Sequence, residues 1–93
     1  MKAIWKGIVL AESDKTIVVE RNHYFPPGSV KTEFLKKSGD IYKCAWKGVA
    51  DYYDVVVGGE TNHNAAWMYP EPTEPAKAIK GYFAFWMGVE ITE

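Results

Sequence analysis

The sequence predicts a mainly β fold, a small antiparallel sheet protein with one short helix near the C-terminus. Short stretches rich in β-branched and aromatic residues recur along the chain, and glycine, proline, serine and aspartate separate them. The helix is expected over residues 73–80, because Thr73 is a suitable N-cap and Gly81 a suitable stop. Many short strands with one short helix favour this class over an α/β enzyme fold.

The N-terminal part is expected to form a hairpin followed by an irregular connection. Residues 3–11 predict a strand, Ser13-Asp14 a turn, and residues 16–20 the returning strand. Pro26 and Pro27 interrupt regular structure, so residues 27–31 predict a single helical turn. Residues 32–36 are expected to be extended.

The second half predicts a clearer hairpin. A turn at residues 38–40 precedes a strand at 41–45, and residues 49–57 predict a long strand. Gly58-Gly59 suits a tight two-residue loop, after which the chain returns from residue 60 through 67. Prolines at 70, 72 and 75 exclude a further ladder there, and strands at 82–86 and 89–91 close the fold around Met87-Gly88.

Length and charge limit the function classes. Ninety-three residues predict a single domain, residues 1–93. The 11 basic and 12 acidic side chains balance, so nucleic acid is not an expected partner. No apolar run is long enough to cross a membrane, and a lone cysteine in so small a domain favours the cytoplasm. Glycine-rich phosphate-binding motifs are absent.

Cys44 is the candidate nucleophile, with a structural alternative. A thiol reacts as the thiolate, which a nearby cation stabilises, and Lys43 and Lys47 are close in sequence. A free cysteine more commonly serves as a small buried apolar side chain. His23 and His63 lack the close spacing of zinc ligands, so neither a metal nor another cofactor is expected.

Asp51 is the candidate acid or base. On a strand that is regular through Gly48, Asp51 shares a face with Lys47 and Tyr53. A carboxylate pressed against aromatic rings has a raised pKa and can transfer protons near neutral pH. The structural alternative is a cross-strand ion pair at a sheet edge.

The aromatic residues have two interpretations. Four tryptophans and six tyrosines outnumber the four phenylalanines, so most rings carry a polar group. Trp5, Trp46, Trp67 and Trp86 either fill the core or line a cleft for a flat or cationic ligand. Rings with a polar group suit the partly solvated walls of a pocket as well as a protein core.

Ordered motifs run through nearly the whole chain: Trp5-x-Gly7, Glu20 before Tyr24-Phe25-Pro26, Cys44-x-Trp46-Lys47-Gly48, Tyr52-Tyr53, Ala66-Trp67-x-Tyr69-Pro70 and Gly81-x-x-Ala84-Phe85. In these motifs the chain resembles the domain of unknown function 427 (DUF427), although Ala45 stands where that family usually has proline. The resemblance implies a β-tent (Mss4-like) fold. Similar folds hold zinc on four cysteines, which this chain cannot do, and some hold a small ligand between their sheets. A redox role similar to that of methionine sulfoxide reductase B is a distant alternative, because the chain has no second thiol.

We therefore expect a small-molecule-binding domain with an aromatic-lined cleft, and leave open whether it is an enzyme. The alternative is a protein-interaction or homo-oligomerising module without catalysis, in its simplest form a homodimer. The residues expected at the site are Cys44 and Asp51 for chemistry, with Glu20, Tyr24, Trp46, Lys47, Tyr53, Trp67 and Tyr69 for ligand binding.

Overall fold

The computed structural model describes residues 1–93 and contains nine strands in three antiparallel sheets. It confirms the mainly β, antiparallel class with a short helix near the C-terminus. The sheets have the strand orders β2-β1-β9, β3-β4 and β5-β6-β7-β8. The strands are β1 (Lys2–Trp5), β2 (Ile8–Glu12), β3 (Ile17–Val19), β4 (Asn22–Tyr24), β5 (Leu35–Cys44), β6 (Gly48–Val57), β7 (Glu60–Met68), β8 (Phe83–Phe85) and β9 (Glu90–Thr92), with 3₁₀ helices at Pro27–Ser29, Thr32–Phe34 and Glu74–Ile79.

The N-terminal hairpin differs from the prediction. The predicted strand at 3–11 is itself a hairpin, in which β1 and β2 pair around Lys6-Gly7. Residues 16–20 do not return along it, because β3 pairs with β4 around Glu20-Arg21. Both residues of each turn have positive φ, as a two-residue hairpin turn of type I′ requires. The second turn contains no glycine, so the sequence signal for it is weak.

The middle of the chain shows two further differences. Residues 32–34 form a 3₁₀ helix and are not extended. The predicted turn at 38–40 lies within β5, where the pairing with β6 shifts between Lys37 and Ile41 and Gly39 has a φ of 94°. The strand bulges there and continues. The predicted hairpin of β6 and β7 around Gly58-Gly59 is confirmed.

The C-terminal segment contains the expected helix and closing strands, with altered details. The helix is of the 3₁₀ type, and Thr73 at its N-cap position makes no side-chain capping bond. Strands β8 and β9 do not pair with each other. β8 completes the four-stranded sheet and β9 joins β1, so the turn at Met87-Gly88 carries the chain from one sheet to another.

The four-stranded sheet buries apolar side chains on both faces. One face packs against the β2-β1-β9 sheet and forms the larger cluster, which includes Leu10, Val55 and Phe85. The other face packs against β3, β4 and the 3₁₀ helix Glu74–Ile79 and forms a smaller cluster around Tyr24 and Tyr69. None of the helices has both the length and the apolar character needed to cross a membrane.

Candidate functional site

An open cavity of about 290 Å³ lies on the face of the four-stranded sheet that carries the smaller cluster. Strands β4, β5, β6 and β7, the β3–β4 and β5–β6 turns, and the residues directly after β7 and β8 contribute its walls. Alternation along the strands places Tyr42, Tyr52 and Trp67 on the same face. The lining side chains are Glu20, Asn22, Tyr42, Lys47, Tyr52, Trp67, Tyr69 and Trp86.

Three rings form the aromatic wall of the cavity. Tyr52 and Trp86 are parallel within 7°, with ring centroids 6.4 Å apart. Trp67 stands edge-on to Trp86, at 5.6 Å and 75°. Each indole N–H has a partner, since Trp67 donates to the Tyr24 hydroxyl at 3.1 Å and Trp86 to the Asn64 carbonyl at 2.6 Å. These bonds hold the rings in place without occupying their faces.

An ion pair forms the polar wall. Lys47 is only 5% exposed and is the one buried charged side chain of the protein. Its Nζ donates to Oε1 of Glu20, and the Trp46 indole N–H donates to Oε2 of the same carboxylate at 3.3 Å. The ammonium also lies 5.5 Å from the Trp46 ring centroid and 5.6 Å from that of Tyr69. A buried charge needs such partners to offset its lost hydration.

The β5–β6 turn explains how Lys47 reaches this position. Residues 45–47 form the turn, and Gly48 follows with a φ of 110°. A β-carbon at Gly48 would lie 3.4 Å from the carbonyl oxygen of Glu71, so the proline-rich segment after β7 packs closely against the turn. Glycine meets the conformational requirement, whereas the distances themselves are ordinary van der Waals contacts.

The ion pair raises the pKa of Lys47 and lowers the pKa of Glu20, and both changes favour the charged forms. Burial alone lowers the pKa of Lys47, but the hydrogen bond to Glu20 and the nearby phenols of Tyr24 and Tyr69 more than offset it, so its pKa is raised. Hydrogen bonds from Lys47 and then Trp46 lower the pKa of Glu20. Both groups are therefore charged at neutral pH and suit electrostatic binding better than proton transfer.

Two phenols of the cavity, those of Tyr69 and Tyr52, remain neutral at physiological pH. Burial raises the pKa of Tyr69 to about 12, although Lys47 acts in the opposite direction. Burial, followed by the proximity of Tyr42 and Asp40, also raises the pKa of Tyr52. Both hydroxyls can donate and accept hydrogen bonds to a ligand, and neither is an effective general base.

Four of the residues predicted for the site line the cavity, namely Glu20, Lys47, Trp67 and Tyr69. Two more contact this set directly: Tyr24 accepts the Trp67 hydrogen bond, and Trp46 donates to Glu20. Cys44 packs half-buried against the smaller cluster and does not line the cavity.

Asp51 and Tyr53 lie on the opposite face of the sheet. Asp51 Oδ2 pairs with Lys37 Nζ at 3.5 Å, and the Tyr53 ring packs edge-on against Phe83 at 5.1 Å. The predicted cluster of Asp51, Tyr53 and Lys47 does not form. It assumed regular alternation through Gly48, whereas the positive φ there sends Lys47 to the other side.

Four lining residues are absent from the expected site: Asn22, Tyr42, Tyr52 and Trp86, of which Trp86 enters the sequence prediction only as one of four rings that could line a cleft. Strand alternation could have indicated two of them, Tyr42 and Tyr52. Tyr42 lies two residues before Cys44 and therefore on the same face of β5. Its cross-strand partner is Ala50, and Tyr52 lies two residues after Ala50 on the same face of β6. Trp86 follows β8 directly, and its direction depends on the crossover into β9, which no local pattern predicts. Asn22 depends on the unpredicted β3–β4 hairpin.

Acidic and imidazole groups also meet outside the cavity. His63 lies 2.9 Å from Asp54 and 3.4 Å from Asp40, measured between ring nitrogens and carboxylate oxygens. No group of three or more His, Cys, Asp and Glu side chains in the protein has an arrangement that suits a metal ion.

The fold and the cavity together define a small, mainly β domain with an aromatic-walled pocket and a buried lysine–glutamate pair. The chain matches the family model described as a domain of unknown function, DUF427, over residues 1–92, and it belongs to that family. No curated protein matches the sequence.

Proposed function

We propose that the protein binds a small, flat molecule in the aromatic-walled cavity. The observation that carries this proposal is the convergence of Tyr42, Tyr52, Trp67 and Trp86 on one open space beside the Lys47 ammonium. Small-molecule sites typically combine apolar and aromatic walls with a few converging polar groups. At about 290 Å³ the cavity is near the lower end of their size range, which favours a ligand with one ring or a fused ring pair.

Binding has more support than catalysis. Of the two candidates for chemistry, Cys44 packs beside the cavity and Asp51 lies on the opposite face. Of the groups that do line the cavity, Lys47, Glu20 and Tyr69 are held in their ordinary charge states at neutral pH. A catalytic role for Cys44 would require a ligand that reaches beyond the lining residues to the thiol. A cytoplasmic location, favoured by the lone cysteine, belongs to the same proposal.

The alternative, an interaction or homodimerising module, has one favourable feature and one unfavourable feature. β5 is an edge strand of ten residues, and Ile41 on it is 52% exposed. The same edge carries three lysines (Lys36, Lys37 and Lys43) and a bulge. Charged side chains and bulges are features that prevent one sheet edge from pairing with another. We therefore prefer the binding proposal.

Indole resonances offer a direct test of binding. The four tryptophan N–H signals are assigned through single Trp→Phe variants, and the protein is titrated with unsubstituted ring compounds such as indole, quinoline and naphthalene. We expect the Trp67 and Trp86 signals to shift, while that of Trp5, on β1, stays in place. If no ring compound shifts the Trp67 or Trp86 signal up to its solubility limit, the proposal is wrong.

Two tryptophan substitutions provide a matched comparison. Trp86→Leu removes a cavity wall, whereas Trp5→Leu removes a half-buried ring that packs against the larger cluster. Trp86→Leu is expected to weaken binding roughly three- to tenfold, the range of aromatic pair energies. Trp5→Leu should leave affinity unchanged, with thermal unfolding used to show that both variants are folded. Equal weakening by both would count against the cavity as the site.

A further inference from the structure

We infer that the ligand of this cavity carries an uncharged carboxamide-type edge, with a carbonyl acceptor and an N–H donor side by side on a planar group. The inference rests on the proposed function, because it names the class of molecule bound at the same site. It follows from the unused hydrogen-bonding capacity and from the charge of the Lys47–Glu20 pair.

Lys47 supplies unused donors. An ammonium carries three N–H donors and no acceptor. The protein offers Nζ two hydrogen-bond partners, Oε1 of Glu20 and the Tyr69 hydroxyl, so at least one donor is left over although the side chain is only 7% exposed. A buried donor without an acceptor is costly. Since Lys47 lines the cavity, a ligand carbonyl oxygen can satisfy a donor that the protein itself leaves open.

Glu20 supplies unused acceptors at the same place. A carboxylate offers about four lone-pair positions, and Lys47 and Trp46 use one on each oxygen. The side chain is 53% exposed and also lines the cavity. Its backbone φ of 53° and that of Arg21, 69°, are uncommon for residues other than glycine, so the turn presents Glu20 in a fixed, mildly strained conformation.

The charge of the pair selects against ionic ligands. Lys47 and Glu20 together are neutral, so a carboxylate ligand that approaches Lys47 also meets the Glu20 carboxylate. A cationic ligand meets the Lys47 ammonium, which already lies over the rings of Trp46 and Tyr69. A group that accepts from Lys47 and donates to Glu20 avoids both repulsions. The parallel and edge-on rings of Tyr52, Trp86 and Trp67 provide apolar contact for a ring attached to such a group.

Four benzene derivatives of similar size test the inference: benzamide, benzoate, benzylammonium and acetophenone, the last of which accepts but does not donate. Binding is followed at neutral pH by the indole signals of Trp67 and Trp86. Benzamide should bind about tenfold more tightly than the two ions, since hydrogen bonds to charged groups are among the stronger ones. Acetophenone should be intermediate. Glu20→Gln should reduce the advantage of benzamide over benzoate, and Lys47→Met should reduce its advantage over benzylammonium. Lys77→Met and Glu74→Gln, which change an exposed pair, should do neither.

The outcomes separate the inference from the proposed function. Equal affinity for all four probes, or tightest binding of benzoate or benzylammonium, overturns the carboxamide class and leaves the cavity as a ring-binding site. So does an unchanged advantage over benzoate in Glu20→Gln together with an unchanged advantage over benzylammonium in Lys47→Met. Binding of indole or quinoline without binding of any of the four probes also overturns the inference alone. Failure of every ring compound overturns both.

Discussion

Thr73 is hydrogen-bonded to Lys47 through the backbone, with the Thr73 N–H donating to the Lys47 carbonyl at 3.0 Å. The Thr73 hydroxyl donates to the carbonyl of Trp46, the preceding residue. These two hydrogen bonds fasten the β5–β6 turn to the start of the 3₁₀ helix Glu74–Ile79, which is not part of the four-stranded sheet. Since Lys47 and Trp46 both contact Glu20, Thr73 supports the polar wall of the cavity without lining it.

Thr73→Val should destabilise the protein by about 1 kcal/mol, because the valine side chain keeps the shape and removes the hydroxyl donor to the Trp46 carbonyl. Urea unfolding monitored by tryptophan fluorescence measures the change. Thr61→Val is the control, since Thr61 is exposed on β7 and its hydroxyl makes no hydrogen bond within the protein. A Thr73→Val variant as stable as Thr61→Val would show that the hydroxyl does not secure the turn.

Gly48→Ala should cost about 1–3 kcal/mol, the typical strain of a residue other than glycine at positive φ. The strain is conformational, because Gly48 has a φ of 110°, while the added carbon would make ordinary contacts, 3.4 Å from the Glu71 carbonyl and 3.5 Å from the Thr73 nitrogen. Gly28→Ala is the matched control, because Gly28 has neither a positive φ nor a heavy atom within 4 Å of the added carbon. Both are measured by thermal unfolding, and equal melting temperatures would refute the role of Gly48.

The fold class could be predicted from the sequence because strand periodicity and glycine turns are local signals. The β6–β7 hairpin shows this well, since its glycine pair and its β-branched strand agree. The N-terminal prediction failed at Lys6-Gly7 and Glu20-Arg21, where turns with positive φ interrupt apolar runs. A single glycine, or none, gives too weak a signal to mark such turns. The β-tent arrangement implied by the family resemblance stays a prediction.

The candidate site could be predicted only in part, for a related reason. Lys47, Trp67 and Tyr69 belong to aromatic runs that stand out in the sequence, and all line the cavity. Their convergence depends on long-range pairing, which composition does not reveal. At Gly48 a single backbone angle decides which side Lys47 takes. Because of this angle, Lys47 and Asp51 lie on opposite faces of the sheet, so the expected acid–base cluster does not form.

The carboxyl group of Glu20 should titrate below its ordinary pKa of 4.5, because Lys47 and Trp46 donate hydrogen bonds to the ionised form. The stability that these hydrogen bonds contribute is therefore present above pH 4.5. It is lost as the pH falls through the lower pKa that Glu20 has in the folded protein. Carbon-13 NMR of the side-chain carboxyls gives the midpoint. In Lys47→Met it should move up toward 4.5, whereas in Lys77→Met it should not. An unchanged midpoint in Lys47→Met would contradict the ion pair.

The Tyr69 phenol should produce a loss of stability in alkaline solution. Burial raises its pKa from 10 in the unfolded chain to about 12 in the folded protein. Between these values the native state keeps a proton that the unfolded state has released, so the free energy of unfolding falls as the pH rises, with a limiting slope of about 1.4 kcal/mol per pH unit. Urea unfolding across this range should therefore show a steeper decline for the natural protein than for Tyr69→Phe. Tyr82→Phe, which changes a half-buried tyrosine outside the cavity, serves as the control and should retain the steep decline. Parallel declines for the natural protein and Tyr69→Phe would show that the phenol titrates alike in both states.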